Sequence, residues 1–114
     1  MELSKPDKKA AREIIEKGLQ QEFAYGLNEF RELLNHWKEN SSDNRETYQT
    51  LYKGVRDFDK HIASRYDAMR GSDHLFIIAA QLNEGFISEA DLNGFSEQAQ
   101  MAIKTIIDIQ NSLI

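Results

Sequence analysis

The chain has 114 residues, of which 29% are charged and 40% hydrophobic, with a formal net charge of −5 and no cysteine. This length fits a single domain, and the lack of cysteine excludes disulfide bonds, a thiolate nucleophile and cysteine-ligated zinc. No apolar run reaches the roughly 18 residues that a membrane span needs, and the N-terminal region lacks the pattern of a secretory signal. We therefore expect a cytoplasmic protein with no membrane partner.

The acidic surplus lies in the C-terminal third of the chain. Residues 1–71 carry 13 basic and 13 acidic side chains, whereas residues 72–114 carry one basic side chain, Lys104, against six acidic ones. A surface of this charge repels phosphate backbones. We therefore expect no nucleic-acid partner, and the charge of this region favours a basic protein partner.

The first predicted helix covers residues 5–39. Pro6 follows Ser4 and precedes Asp7, an order typical of the first turn of a helix. Apolar residues then recur at steps of three and four, at Ile15, Leu19, Phe23, Gly26 or Leu27, Phe30, Leu33 or Leu34, and Trp37. The polar segment ENSSDNRE that follows predicts a short connection.

The second predicted helix covers residues 44–70. Asp43, followed three residues later by Glu46, is an N-cap pattern, and an apolar period continues from there to Met69. Gly71 is expected to end this helix in the left-handed conformation, which glycine adopts most easily.

The third predicted helix is short and buried, and it covers residues 73–84. Ser72 or Asp73 can cap its start. The segment LFIIAAQL is apolar nearly all the way round, and a lone strand among helices would have no partner for its backbone hydrogen bonds. A buried helix is therefore the better interpretation.

The segment GFISEADL, residues 85–92, resembles the second half of a calcium-binding loop. Placing Gly85 at the sixth position of such a loop puts Ile87 at the eighth and Asp91 at the twelfth. The first and third positions, which need oxygen ligands, then fall on Ala80 and Leu82. The pattern therefore predicts no calcium site.

The same segment fits a joint between two helices. Gly85 stands where the third helix would end, and Ser88 with Asp91 has the spacing of a capping box. Ile87 and Leu92 would form the hydrophobic staple that accompanies such a box. The structural residues predicted here are thus Gly85, Ile87, Ser88, Asp91 and Leu92.

The last predicted helix covers residues 88–113. Its apolar residues alternate steps of three and four without a miss, at Leu92, Phe95, Ala99, Ala102, Ile106, Ile109 and Leu113. Gly94 is the position at which we expect a kink. Glu89 and Asp91 near the start of this helix oppose a DNA-reading helix-turn-helix, which needs basic or amide side chains there.

These elements predict an all-α fold, an up-and-down bundle of about four helices in one domain over residues 1–114. The short connections favour antiparallel neighbours. The first helix is about three times as long as the third, and apolar residues continue up to the last position of the sequence, IIDIQNSLI. We therefore expect a homodimer in which the first and last helices pair across a two-fold axis.

No catalytic residue and no cofactor are predicted, because nucleophile elbows and glycine-rich phosphate loops are missing from the sequence. The leading interpretation is a non-catalytic helical interaction protein. The alternative is a small metal-binding bundle that uses His36, His61 and His74 with neighbouring carboxylates. The Glu-x-x-His signature of di-iron bundles is missing, since Leu33, Phe58 and Gly71 stand three residues before these histidines.

Overall fold

The fold is all-α, as the sequence predicts. The computed structural model describes residues 3–112, and these contain no strand. The four α-helices are α1 (Lys5–Asn40), α2 (Asn44–Tyr66), α3 (His74–Asn83) and α4 (Glu97–Ser112). Two short 3-10 helices, Gly71–Asp73 and Glu89–Gly94, precede α3 and α4. Within the described residues, no helix combines the length and the apolarity needed to cross a membrane.

The chain divides into two compact units. Unit 1 comprises Met1–Glu22 and Met69–Ile114, and unit 2 comprises Phe23–Ala68. Helix α1 therefore contributes its N-terminal half to unit 1 and its C-terminal half to unit 2. The expectation of one domain over residues 1–114 stays a prediction.

The core of unit 1 gathers apolar residues from α1, α3, the second 3-10 helix and α4. Its buried members include Ala11, Ile14, Ile15, Ile77, Ile78, Leu92, Phe95, Ala99 and Ile103. Gln81 of α3 is also fully buried, and its Nε2 donates a hydrogen bond of 3.0 Å to the backbone oxygen of Ile15. A Cβ at Gly18 would overlap this amide group, so glycine at this position leaves the space that the Gln81 side chain occupies.

A second polar contact joins the beginning of α1 to the beginning of α4. The buried carboxylate of Asp7 accepts hydrogen bonds from the Ser96 backbone N–H at 2.9 Å and from its hydroxyl at 2.7 Å. The Ser96 oxygen in turn accepts from the N–H of Ala99 at 3.2 Å, which caps α4. The hydroxyl bond from Ser96 is the main reason why the pKa of Asp7 lies below its ordinary value.

Helix α1 agrees with the predicted range, and the start of α2 has the predicted cap. The Asp43 carboxylate accepts a hydrogen bond of 2.8 Å from the N–H of Glu46. Ser41, with φ of 49°, ends α1 in the left-handed conformation, and the N–H of Ser42 reaches back to the oxygen of Trp37 at 3.3 Å.

The prediction for the end of the second helix, residues 44–70, is wrong. Helix α2 ends at Tyr66, and Gly71 starts a 3-10 helix instead of closing α2 in a left-handed conformation. The carboxylate of Asp73 accepts a hydrogen bond of 3.0 Å from the N–H of Arg70. This bond satisfies the Arg70 donor outside an α-helix and turns the chain toward α3.

The single helix predicted over residues 88–113 is also wrong. Gly94 ends the 3-10 helix, Phe95 is extended with φ of −88° and ψ of 155°, and α4 begins at Glu97. The break is stabilised because Phe95 is buried and Ser96 caps α4 while bound to Asp7. The last predicted position, Leu113, lies outside the described residues. Helix α3 is short as predicted, but its Phe76 is 56% exposed.

Replacing Asp7 by Asn tests the contact between α1 and α4. Because the folded pKa of Asp7 is lowered, its stabilising contribution is complete above its ordinary value of 3.8 and is lost as pH falls through the folded pKa. At neutral pH we expect Asp7→Asn to lower the free energy of unfolding by about 1.5–3 kcal/mol.

The measurement is urea unfolding of wild type and Asp7→Asn between about pH 6 and pH 2.5. The stability difference should shrink as the pH falls, because Asp7 becomes protonated in the wild type, whereas the other carboxylates titrate in both proteins and cancel. A difference that stays constant over this range contradicts the assignment.

Candidate functional site

The three histidines lie on different elements. His36 is exposed on α1, where its Nδ1 is 3.1 Å from the Asn40 amide nitrogen, and His61 is exposed on α2. His74 is half-buried at the start of α3 in unit 1. Within residues 3–112, no three or more His, Cys, Asp or Glu side chains form a group that could hold a metal ion.

The segment after α3 has the hydrogen bonds of a joint. Gly85 has φ of 85°, and the N–H of Phe86 donates to the oxygen of Gln81 at 2.9 Å, which closes α3. The backbone N–H of Ser88 donates to the Asp91 carboxylate at 2.8 Å, and the backbone N–H of Asp91 donates to the backbone oxygen of Ser88 at 3.0 Å. This reciprocal pair begins the 3-10 helix Glu89–Gly94 rather than a long α-helix.

Asp91 also anchors this joint to α1. Its carboxylate accepts a hydrogen bond from the Lys17 ammonium group and a second one from the Ser88 hydroxyl at 3.1 Å. The bond from Lys17 is the first cause of the lowered pKa of Asp91. Ile87 and Leu92, the two residues of the predicted staple, are both buried in unit 1. The segment thus has contacts typical of a structural element.

Unit 2 is a helical hairpin formed by residues 23–40 of α1 and by α2. Phe58 packs over Gly26, and its ring meets the rings of Phe23 and Phe30 edge to face with centroids 6.0 and 6.1 Å apart. The ring of Phe30 reaches 3.2 Å from the Cβ position of Gly54. These contacts define a narrow stripe along which the two helices meet.

On α1, large apolar residues continue beyond this stripe to one side. At about 100° per residue, measured from Gly26, Phe23 lies about 60° round the helix, Leu34 about 80° and Leu27 about 100°. These side chains are 40%, 41% and 67% exposed, respectively. Tyr25 lies about 100° round in the opposite sense.

On α2, the apolar residues outside the stripe lie on the same side of the hairpin. Measured from Gly54, Val55 lies about 100° round the helix, Tyr48 about 120° and Tyr52 about 160° in the same rotational sense as on α1. Because the two helices are antiparallel, equal rotation brings both sets to one face. Tyr48 is 67% exposed and Tyr52 is 59% exposed.

We call this surface the hairpin face and define it by Phe23, Leu27, Leu34, Trp37, Tyr48, Tyr52 and Val55. A cleft of about 160 Å³ near the turn supports this placement, because Leu34 and Trp37 of α1 line it together with Tyr48 and Leu51 of α2. Indole Nε1 of Trp37 donates to the Asn44 side chain at 2.7 Å, which fixes the ring at one end of the face.

The charged residues of the hairpin are placed unevenly around it. By the same helical geometry, Glu29, Glu32 and Glu39 lie on the side of α1 opposite the hairpin face. Arg31 and Lys38 border the face on α1. The hairpin face is therefore apolar at its centre and poor in acidic side chains along α1.

Unit 1 also exposes apolar side chains, but they are fewer. Met101 and Ile109 of α4 are 68% and 56% exposed. The exposed charged side chains on and shortly before α4 are Glu89, Glu97 and Asp108 against Lys104. This is the part of the chain for which the sequence favours a basic partner.

No protein-family model matches the chain, and no curated protein or solved structure matches it significantly. The predicted apolar stripe of the first helix includes Phe23 and Trp37, with Leu27 and Leu34 as alternatives at two of its steps, and such a stripe favours burial rather than exposure. The signal for exposure was the width of the stripe, because apolar residues at both 33 and 34 span more of α1 than one neighbouring helix covers.

Comparing Asp91→Ala with Ser88→Ala tests the joint. Asp91→Ala removes the acceptor of both the Ser88 N–H and Lys17, so we expect a loss of about 1–3 kcal/mol in the free energy of unfolding. Ser88→Ala keeps the backbone bond to Asp91 and should cost at most about 1 kcal/mol. Urea unfolding at neutral pH measures both, and equal losses contradict the central place of Asp91.

Proposed function

We propose that this chain is a non-catalytic helical interaction protein that assembles as a homodimer. The observation that carries the proposal is the amount of apolar surface left exposed, with seven large apolar side chains on one face of a single hairpin. Their exposed parts amount to roughly 550 Å², at the upper end of the range of about 300–600 Å² for the largest apolar patch on a typical monomer, and such patches are often functional. A partner surface removes such a patch from water.

Binding, rather than chemistry, is what the side chains of this surface support. The hairpin face offers aromatic and aliphatic groups, which bury well and dominate the energetics of interfaces. Its polar contact, from Trp37 to Asn44, orients a ring. Apolar surface of this kind favours a protein partner.

The test is the mass of the full chain in solution, measured by sedimentation velocity and light scattering from low to high micromolar concentration. We expect twice the mass of one chain, with dissociation to monomers only on dilution. A mass of one chain throughout this range overturns the proposal. As a control, the melting temperature is measured with added zinc, iron or chelator. A shift of the melting temperature with metal supports the alternative interpretation as a metal-binding bundle.

A further inference from the structure

We propose that the hairpin face is the surface through which two copies of the chain associate, so that two α1–α2 hairpins complete a four-helix bundle. This inference rests on the proposed homodimer and names the surface that forms it. It replaces the pairing of the first and last helices expected from the sequence with a pairing of unit 2 against unit 2.

Within unit 2, each helix of the hairpin lacks the second neighbouring helix that a four-helix bundle provides. Only a narrow stripe on each helix is covered by the other, as the contacts of Phe58 with Gly26 and of Phe30 with Gly54 show. A four-helix bundle buries two sides of every helix, because each helix has two antiparallel neighbours. A second hairpin laid on the face supplies the missing neighbour for both α1 and α2.

The exposed apolar area of the hairpin face is close to the apolar area that one partner buries in a standard homodimer interface. A buried aromatic side chain removes roughly 150–250 Å² from water, so the exposed fractions of Phe23, Trp37, Tyr48 and Tyr52 together amount to on the order of 400 Å². Leu27, Leu34 and Val55 raise this to roughly 550 Å². A standard interface buries about 800 Å² per partner, and in homodimers about 65% of it is apolar, which is roughly 520 Å².

The placement of acidic side chains along α1 favours a second copy of this chain as the occupant of the hairpin face. A two-fold interface brings each surface against itself, so a charged face would repel its own copy. The chain carries a net charge of −5, yet Glu29, Glu32 and Glu39 all lie on the opposite side of α1 from the face. On α2, one exposed carboxylate, Asp59, lies on the side of the face, about 140° round from Gly54.

The two-fold axis can run along or across the helices, and either choice makes facing helices antiparallel. Short connections of three residues, such as residues 41–43 here, are typical of such bundles. In both arrangements Leu27 and Val55 lie within the interface.

The test compares the double variant Leu27→Glu, Val55→Glu with the matched variant Met101→Glu, Ile109→Glu on α4. All four side chains are exposed, at 67%, 45%, 68% and 56% in that order, so the substitutions fit the surface of a folded chain. Like charges facing each other across the two-fold axis should raise the dimer Kd at least about 100-fold in the hairpin variant. The α4 variant should keep the wild-type Kd.

The outcomes separate this inference from the proposed function. A hairpin variant that dimerises like wild type overturns the inference, and an α4 variant that dissociates instead assigns the dimer to α4. A monomeric wild type overturns the homodimer itself. Circular dichroism checks folding, and if the hairpin variant is unfolded, Tyr52→Gln alone serves in its place. It should raise the Kd about 10-fold or more, and an unchanged Kd overturns the inference.

Discussion

A pair of antiparallel helices can cover only one stripe on each member, and this constraint dominates the C-terminal half of α1 together with α2. The rings of Phe58 and Phe30 pack over Gly26 and Gly54 along that stripe, and the broader apolar flank lies outside it. The flank is formed from both helices, and it is continuous because the antiparallel order places both sets on one side. The exposed hairpin face thus follows from local geometry and from an apolar pattern wider than one partner helix can cover.

In unit 1, the N-terminal half of α1 is contacted by several short elements: α3, the second 3-10 helix and the beginning of α4. Gln81 reaches the backbone of α1 because Gly18 has no side chain. Asp7 of α1 binds Ser96, which follows the second 3-10 helix, and Lys17 of α1 binds Asp91 within that helix. Each polar contact is long-range, so together they specify where the chain turns. The buried residues of α3 and α4 then form a core around them.

Much of the fold could be predicted from the sequence because periodicity and caps are local signals. The range of α1 and the Asp43 cap of α2 are examples. The break at Phe95 could not be predicted, because the apolar period runs through it without a gap and its cause is the distant partner of Ser96, Asp7. The early end of α2 has a local cause, since the carboxylate of Asp73 accepts the N–H of Arg70 three residues earlier, but the apolar period continues to Met69 and therefore predicts a longer helix. The hairpin face was visible as a pattern, but its exposure depends on how many helices cover α1, which the pattern does not contain.

The most direct measurement of the central claim is the distance between two copies across the hairpin face. The chain has no cysteine, so Leu27→Cys carries a single spin label at an exposed position of that face. The account predicts dipolar coupling between the two labels of a dimer at less than about 30 Å, because neighbouring axes in a bundle lie about 8–10 Å apart. A sample of dimeric mass with no coupling in this range would contradict it.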